Sequence, residues 1–219
     1  SATLVLNDST TGYPYAVLEA SVISAARTTG SAVLAAEWIN GHSRHTHTLG
    51  IVGTGLIARY VYRFLLSTGW TIEHVRLFDA TPREAAQFQA KVIQPDAHQS
   101  VAVADDVSSL LRDSSMIVLT TTAGTPHIQD PALLAHGPIV LHLSLRDLSP
   151  EILLGAHNIV DDVEHVMKAN TSPHLLEQQV EHRDFVTGTL ADLMMGRCRV
   201  DRSKPTIFSP FGLGVLDLA

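Results

Sequence analysis

Gly50-Ile51-Val52-Gly53-Thr54-Gly55-Leu56-Ile57-Ala58-Arg59 is the stretch on which the fold turns. Residues 48–52 are a short apolar run that reads as a buried strand. Residues 56–67 read as a helix that stops at Gly69. Between them Gly53, Gly55 and Ala58 take the spacing G-x-G-x-x-A. Gly53 permits a tight turn, Gly55 lets the backbone come close to a pyrophosphate, and the small Ala58 lets helix pack on strand. The first N–H groups of the helix, at Leu56, Ile57 and Ala58, have no partner inside it, and the helix dipole adds positive potential there, so this end attracts phosphate. A second strand, residues 75–79, ends in Asp79. That is about 24 positions after Gly55, near the ~20-residue offset of an acid that binds a ribose. A carboxylate there accepts the 2′-hydroxyl and repels a 2′-phosphate. No basic residue follows before Arg83, so NAD is expected over NADP.

Working outward, strands alternate with helices. Residues 81–84 (Thr-Pro-Arg-Glu) look like a capping box with Pro82 at the first helical position. Strands follow at 100–104, 116–120, 139–143 and 158–161, with short helices at 105–111 and from 150. This spacing, with strands nearly continuous in Val, Ile and Leu, predicts an α/β fold: a Rossmann-type doubly wound parallel sheet of about six strands. Thr121 and Thr122 lie just past the fourth of these strands, where open parallel sheets bind ligands. Upstream, residues 3–6 and 13–18 read as a hairpin around a turn cluster, and residues 20–40 as a long helix. Downstream, residues 165–174 look like a loop, 175–180 and 189–195 like helices, 206–208 like a last strand, and 211–219 like the start of a helix.

Composition excludes other classes. The 219 residues are 45% hydrophobic and 17% charged, which is incompatible with disorder. The net charge of -7, from 15 Lys+Arg against 22 Asp+Glu, argues against a nucleic-acid partner. A single cysteine, Cys198, excludes a disulfide framework and a cysteine-rich zinc site. No apolar run approaches the ~18–20 residues of a membrane span, so no membrane partner is expected and cytoplasm is the default location. There is no G-x-S-x-G nucleophile elbow. The twelve histidines include His42-x-x-His45-x-His47. No carboxylate or cysteine completes that group nearby in sequence, so it reads as polar loop filling and no metal site is assigned. His157, His165, His174 and His182 are scattered and read as local hydrogen-bonding groups.

Several segments together resemble the ornithine cyclodeaminase/mu-crystallin family. They are Ala26-Arg27-Thr28-Thr29-Gly30-Ser31-Ala32, the loop at residues 50–58, Asp79, Asn158-Ile159-Val160-Asp161-Asp162, and the closing Ile207-Phe208-Ser209-Pro210-Phe211-Gly212-Leu213-Gly214-Val215-Leu216-Asp217-Leu218-Ala219. Residues 143–151, 168–175 and 208–214 look most like the siderophore-pathway branch. That branch oxidises N-(2-amino-2-carboxyethyl)-L-glutamate with NAD, giving 2,3-diaminopropionate and 2-oxoglutarate. The resemblance implies an NAD-dependent amino-acid oxidoreductase; ornithine cyclodeaminase, a related imine or amino-acid dehydrogenase, and a non-catalytic nucleotide-binding protein are the other members it brings to mind. It implies roles as well. Arg27 would clamp a substrate carboxylate. Thr28 would touch the cofactor, Leu56, Ile57 and Ala58 would hold the pyrophosphate, Thr122 and Ser209 would line the nucleotide site, and His142, Leu143 and Ser144 would lie beside the nicotinamide.

Where cyclodeaminases carry a proton-handling Asp, Arg146 falls nearest the position, and Asp147, one place on, is the candidate acid–base residue. The family also has an N-terminal substrate and dimerisation domain that supplies a general-base Lys and makes the protein a homodimer. Residues 1–47 read as a remnant of it, 48–188 as the NAD-binding domain, and 189–219 as a truncated return segment.

Overall fold

The computed structural model describes residues 3–214. A two-stranded antiparallel hairpin leads, β1 (Thr3–Asn7) with β2 (Pro14–Glu19), paired Thr3 with Glu19 and Val5 with Val17. Its turn is closed by Asp8, whose carboxylate accepts the N–H of Thr10 and Thr11 at 3.0 and 2.7 Å, the usual work of Asp in a turn. Helix α1 (Ser21–Ile39) follows. Its apolar face is poorly marked in sequence because the side it buries is made of small residues, Ala25, Thr29, Ala32, Ala35 and Ala36, all at 0% exposure.

The body is an eight-stranded, wholly parallel sheet. Its strands are β3 (His45–Val52), β4 (Thr71–Phe78), β5 (Ser100–Val103), β6 (Met116–Leu119), β7 (Ile139–His142), β8 (His157–Val160), β9 (Val186–Thr189) and β10 (Thr206–Ser209). Their spatial order is β5-β4-β3-β6-β7-β10-β8-β9. The chain runs from β3 outward to β5, then returns to place β6 on the other side of β3. This reversal opens a crevice at the carboxyl ends of β3 and β6, the position where such sheets bind ligands.

Strand alternation sorts the core into two layers. Leu49, Ile51, Met116, Val118, Leu141 and Phe208 pack on one face with Ala32, Ala36, Val61, Tyr62 and Leu65 of α1 and α2 (Leu56–Ser67). Val52, Ile117, Leu119, Val140 and Ile207 pack on the other with α4 (Val107–Asp113), α5 (Pro150–Leu154) and α7 (Ser172–Val180). Burial on both faces is what makes these strands apolar throughout. The remaining helices are α3 (Pro82–Lys91), α6 (Val163–Val166) and α8 (Leu190–Met194).

The sheet holds eight strands where the sequence pattern predicts about six; the pattern predicts β10 as a last strand but not as a member of this sheet, and it does not predict β9 as a strand. Val186-Thr187-Gly188-Thr189 is too polar to read as a strand, and only its pairing with β8 makes it one. Within segment 189–219, set apart from the dinucleotide domain on sequence, β10 lies inside the sheet, hydrogen-bonded to both β7 and β8. Residues 165–174 are not one loop. Thr171 caps α7 by accepting the N–H of His174, so that helix starts at Ser172, and α6 precedes it. The capping box at Thr81 does not form either. The Thr81 N–H donates to Asp79 Oδ1 at 2.9 Å and its carbonyl accepts from Glu84; Asp79 has claimed the turn. Of the helix expected over residues 211–219, residues 215–219 lie outside the described residues.

Candidate functional site

The Gly loop is held by its neighbours. Gly53 has φ +85°, and a Cβ there would lie 2.8 Å from the Thr120 carbonyl oxygen. It is therefore glycine for backbone reasons, at the contact between the ends of β3 and β6. Thr120 Oγ1 donates to the Gly53 carbonyl at 2.7 Å. Gly55 differs: its φ is ordinary and no atom lies within 4 Å of a Cβ built on it. The space above Gly55 is open, as close approach of a ligand to the backbone requires. Gly55 is the N-cap of α2 with no side-chain cap, so the N–H groups of the first turn face that space. Ala58 is at 0% exposure between α2 and the sheet.

Asp79, just past the end of β4, is hydrogen-bonded directly to this loop. One carboxylate oxygen accepts both the N–H and the Oγ1–H of Thr54 at 2.8 Å, and the other accepts the Thr81 N–H. Burial pushes its carboxyl upward, but the three donors outweigh it and hold the group below the ordinary Asp value. Asp79 is thus ionised and also splints the Gly loop. Thr54, which mediates this, stands out in the sequence only as the variable position between two glycines.

Around these residues lies a cleft of about 550 Å3, lined by Gly53, Gly55, Asp79, Thr121, Thr122 and His127 among others. A second of about 460 Å3 adjoins it, sharing Gly55, Thr120, Thr121 and Thr122 and adding Leu56, Ile57, Leu143 and Ser24. A third, about 150 Å3, shares Ile57 and Leu143 and is lined further by Arg27, Thr28, Asp161 and Gly212. The three form one groove across the carboxyl ends of the strands, with Asp79 at one end and Arg27 at the other.

At the Arg27 end the segment after β10 folds over α1. Both Asp161 oxygens are engaged there, accepting the N–H of Phe211 at 3.0 Å and of Gly212 at 2.7 Å. Gly212 has φ +102°, and a Cβ on it would lie 2.5 Å from Arg27 Nη1. The guanidinium is therefore seated against glycine backbone, and Asp161 fixes that backbone. Asp161 and Gly212 carry no assignment from sequence, although both stand in the family-like segments.

Asp147 is enclosed. It is at 0% exposure; one oxygen accepts from Thr121 Oγ1 and meets His127 Nε2 at 2.9 Å, and the other lies 3.4 Å from His142 Nε2. Burial alone would raise its carboxyl, but the hydrogen bond from His127 and the close approach of the His142 ring overcome it, and the carboxyl lies far below the usual range. His142 Nδ1 in turn meets Ser209 Oγ at 3.1 Å. His142, Ser144 and Ser209 are thus buried, and Leu143 is the residue of this group that lines the groove. His127, which the sequence reading passes over, joins Asp147 to the wall of the 550 Å3 cleft.

The histidine group is rearranged relative to its sequence reading. His45 and His47 are not loop filling but part of β3, and β4 brings Glu73 beside both, at 2.6 and 2.8 Å. The carboxylate missing nearby in sequence is supplied by strand pairing. His42 instead packs edge-on against Trp38.

An open parallel sheet with a glycine turn, an uncapped helix start and a strand-end acid at its reversal point defines a dinucleotide-binding type of α/β protein. Comparison with known proteins narrows that class: the profile of the ornithine cyclodeaminase/mu-crystallin family matches residues 1–219, and the chain belongs to that family. It is 25% identical to N-((2S)-2-amino-2-carboxyethyl)-L-glutamate dehydrogenase of Staphylococcus aureus, across 100% of this chain and 66% of the relative. It is also 25% identical to a Delta(1)-pyrroline-2-carboxylate reductase of Bacillus cereus, across 98% of this chain and 67% of that one. The solved structure of Thermococcus litoralis Delta(1)-pyrroline-2-carboxylate reductase, in complex with NADH and L-proline, superposes with a TM-score of 0.85 at 21% identity, covering 98% of this chain and 68% of that one. The chain therefore spans about two thirds of the length of the relatives it matches.

Proposed function

We propose that this chain carries the NAD-binding part of an amino-acid or imine oxidoreductase, with N-(2-amino-2-carboxyethyl)-L-glutamate as the substrate. The observation that carries the reading is the continuous groove from Asp79, past the open face of Gly55, to Arg27. The residues fit a dinucleotide. Asp79 accepts from a ribose and, being ionised, repels a 2′-phosphate. The first-turn N–H groups of α2 take the pyrophosphate, with Thr121 and Thr122 along the opposite wall. NAD held there would supply the hydride acceptor, and everything else falls to the protein. Arg27 holds a substrate carboxylate through its planar fork, and Thr28 and Leu143 close the groove around the reacting carbon. As the hydride leaves that carbon, the amine nitrogen gives up its proton to solvent water and a C=N bond forms. Water then adds, and breakage of the C–N bond releases 2,3-diaminopropionate and 2-oxoglutarate.

Asp147, the acid–base candidate, fits a positioning role better, because its carboxylate is buried among Thr121, His127 and His142. That supports simple oxidation over ammonia-releasing cyclisation. The names of the relatives, an amino-acid dehydrogenase and an imine reductase, support the reaction class, and the first of them supports the substrate. A cytoplasmic homodimer is part of the same proposal; among the described residues no helix is long and apolar enough to cross a membrane. NADH fluorescence should rise when the chain is added, with NADPH much weaker; no change with either nucleotide overturns the reading. The whole protein, given the substrate and NAD, should produce reduced nicotinamide absorbance. NADH binding without that signal retains the cofactor and rejects the substrate.

A further inference from the structure

We propose that His47, Glu73 and His74 bind a divalent transition-metal ion of the zinc type at the amino-terminal ends of β3 and β4, across the sheet from the cofactor groove. The three side chains offer one imidazole nitrogen, one carboxylate oxygen and a second imidazole nitrogen, all within 4.8 Å of one another. A tetrahedral ion with ligand bonds of about 2.0–2.2 Å needs donors roughly 3.4 Å apart, so small side-chain rotations close the site. Mixed imidazole and carboxylate donors suit Zn2+, Cu2+ or Ni2+ and not the oxygen-preferring Mg2+ or Ca2+. Three protein ligands leave a position for water.

The surroundings already look like an outer shell. Ser100 Oγ holds His74 through Nδ1 at 2.8 Å, so the other ring nitrogen would be the one that ligates. His45 Nε2 holds Glu73 Oε1 at 2.6 Å, while Glu73 Oε2 faces His47. Such contacts orient ligands at metal sites. The His47 and His74 rings meet edge to face, 4.9 Å between centroids. Access is open: His47 is exposed, and it borders a cleft of about 310 Å3 lined also by His45, Asn40, Ser115 and Arg202. The ion would pin β3 to β4 at the end of the sheet far from Gly53 and Asp79.

The test is calorimetric titration of the tag-free protein with ZnCl2. One ion per chain is expected, with a rise in Tm of roughly 5–10 °C at a hundredfold excess over Kd. His47→Ala and Glu73→Gln should each weaken binding at least tenfold, and His165→Ala should not. No saturable binding, or affinity in His47→Ala and Glu73→Gln equal to that of the wild-type protein, overturns the proposal. Co2+ added to the wild-type protein provides a check independent of variants. A d–d absorption of four- or five-coordinate intensity supports the site, and the weak spectrum of the hydrated ion counts against it.

Discussion

Two glycines two positions apart do different work. Gly53 is required by its own backbone, with a left-handed φ and the Thr120 carbonyl against its face; Gly55 has only open space above it, where the proposed dinucleotide would lie. Gly53→Ala should therefore cost about 1–3 kcal/mol of stability, read by urea unfolding. Gly55→Val should leave stability within about 0.5 kcal/mol while weakening NADH at least tenfold, about 1.4 kcal/mol. If both variants lose stability equally, the open space above Gly55 is not what the ligand uses. Arg27→Lys keeps the charge and removes the fork. It should lower kcat/KM for the amino-acid substrate by about 1.5–3 kcal/mol, the worth of a charge-assisted hydrogen bond, with NADH affinity unchanged. Equal loss of both would reject the clamp.

Between elements, the decisive contact is that of α1 with the segment after β10. Asp161 at the end of β8 ties down Phe211 and Gly212, and Gly212 leaves room for the Arg27 guanidinium. Gly212→Ala removes no functional group, yet its methyl would strike Nη1. Its kinetic defect should match that of Arg27→Lys, raising KM for the amino acid and sparing NADH. A defect in NADH binding alone would show that the segment serves the nucleotide instead. The individual motifs here were legible in sequence, because Arg27-Thr28 and Phe211-Gly212 are distinctive strings. Their contact was not legible, because the two lie 185 positions apart and meet only once β10 is seated between β7 and β8.

At the scale of the whole molecule, Asp147 links the loops that follow β6 and β7. Its folded carboxyl lies far below the unfolded value of about 3.9. The stabilisation is therefore complete above about pH 4 and is lost as pH falls through the folded value. Asp147→Asn should cost about 3–5 kcal/mol at pH 7, as breaking a buried pair does, and its stability should fall less steeply than wild type below pH 4. Parallel slopes would mean the carboxylate is not ionised in the folded protein. The sequence by itself determined the class of fold, the phosphate turn and the acid that faces it, because these rest on residues close in the chain whose backbone needs are local: a strand, two glycines, a helix start, a strand end. Only the tertiary structure decided where β9 and β10 pair, which groups enclose Asp147, and that Glu73 meets His45 and His47. Each of these depends on strand order, and strand order is set by burying two apolar faces at once, a condition that no single segment carries.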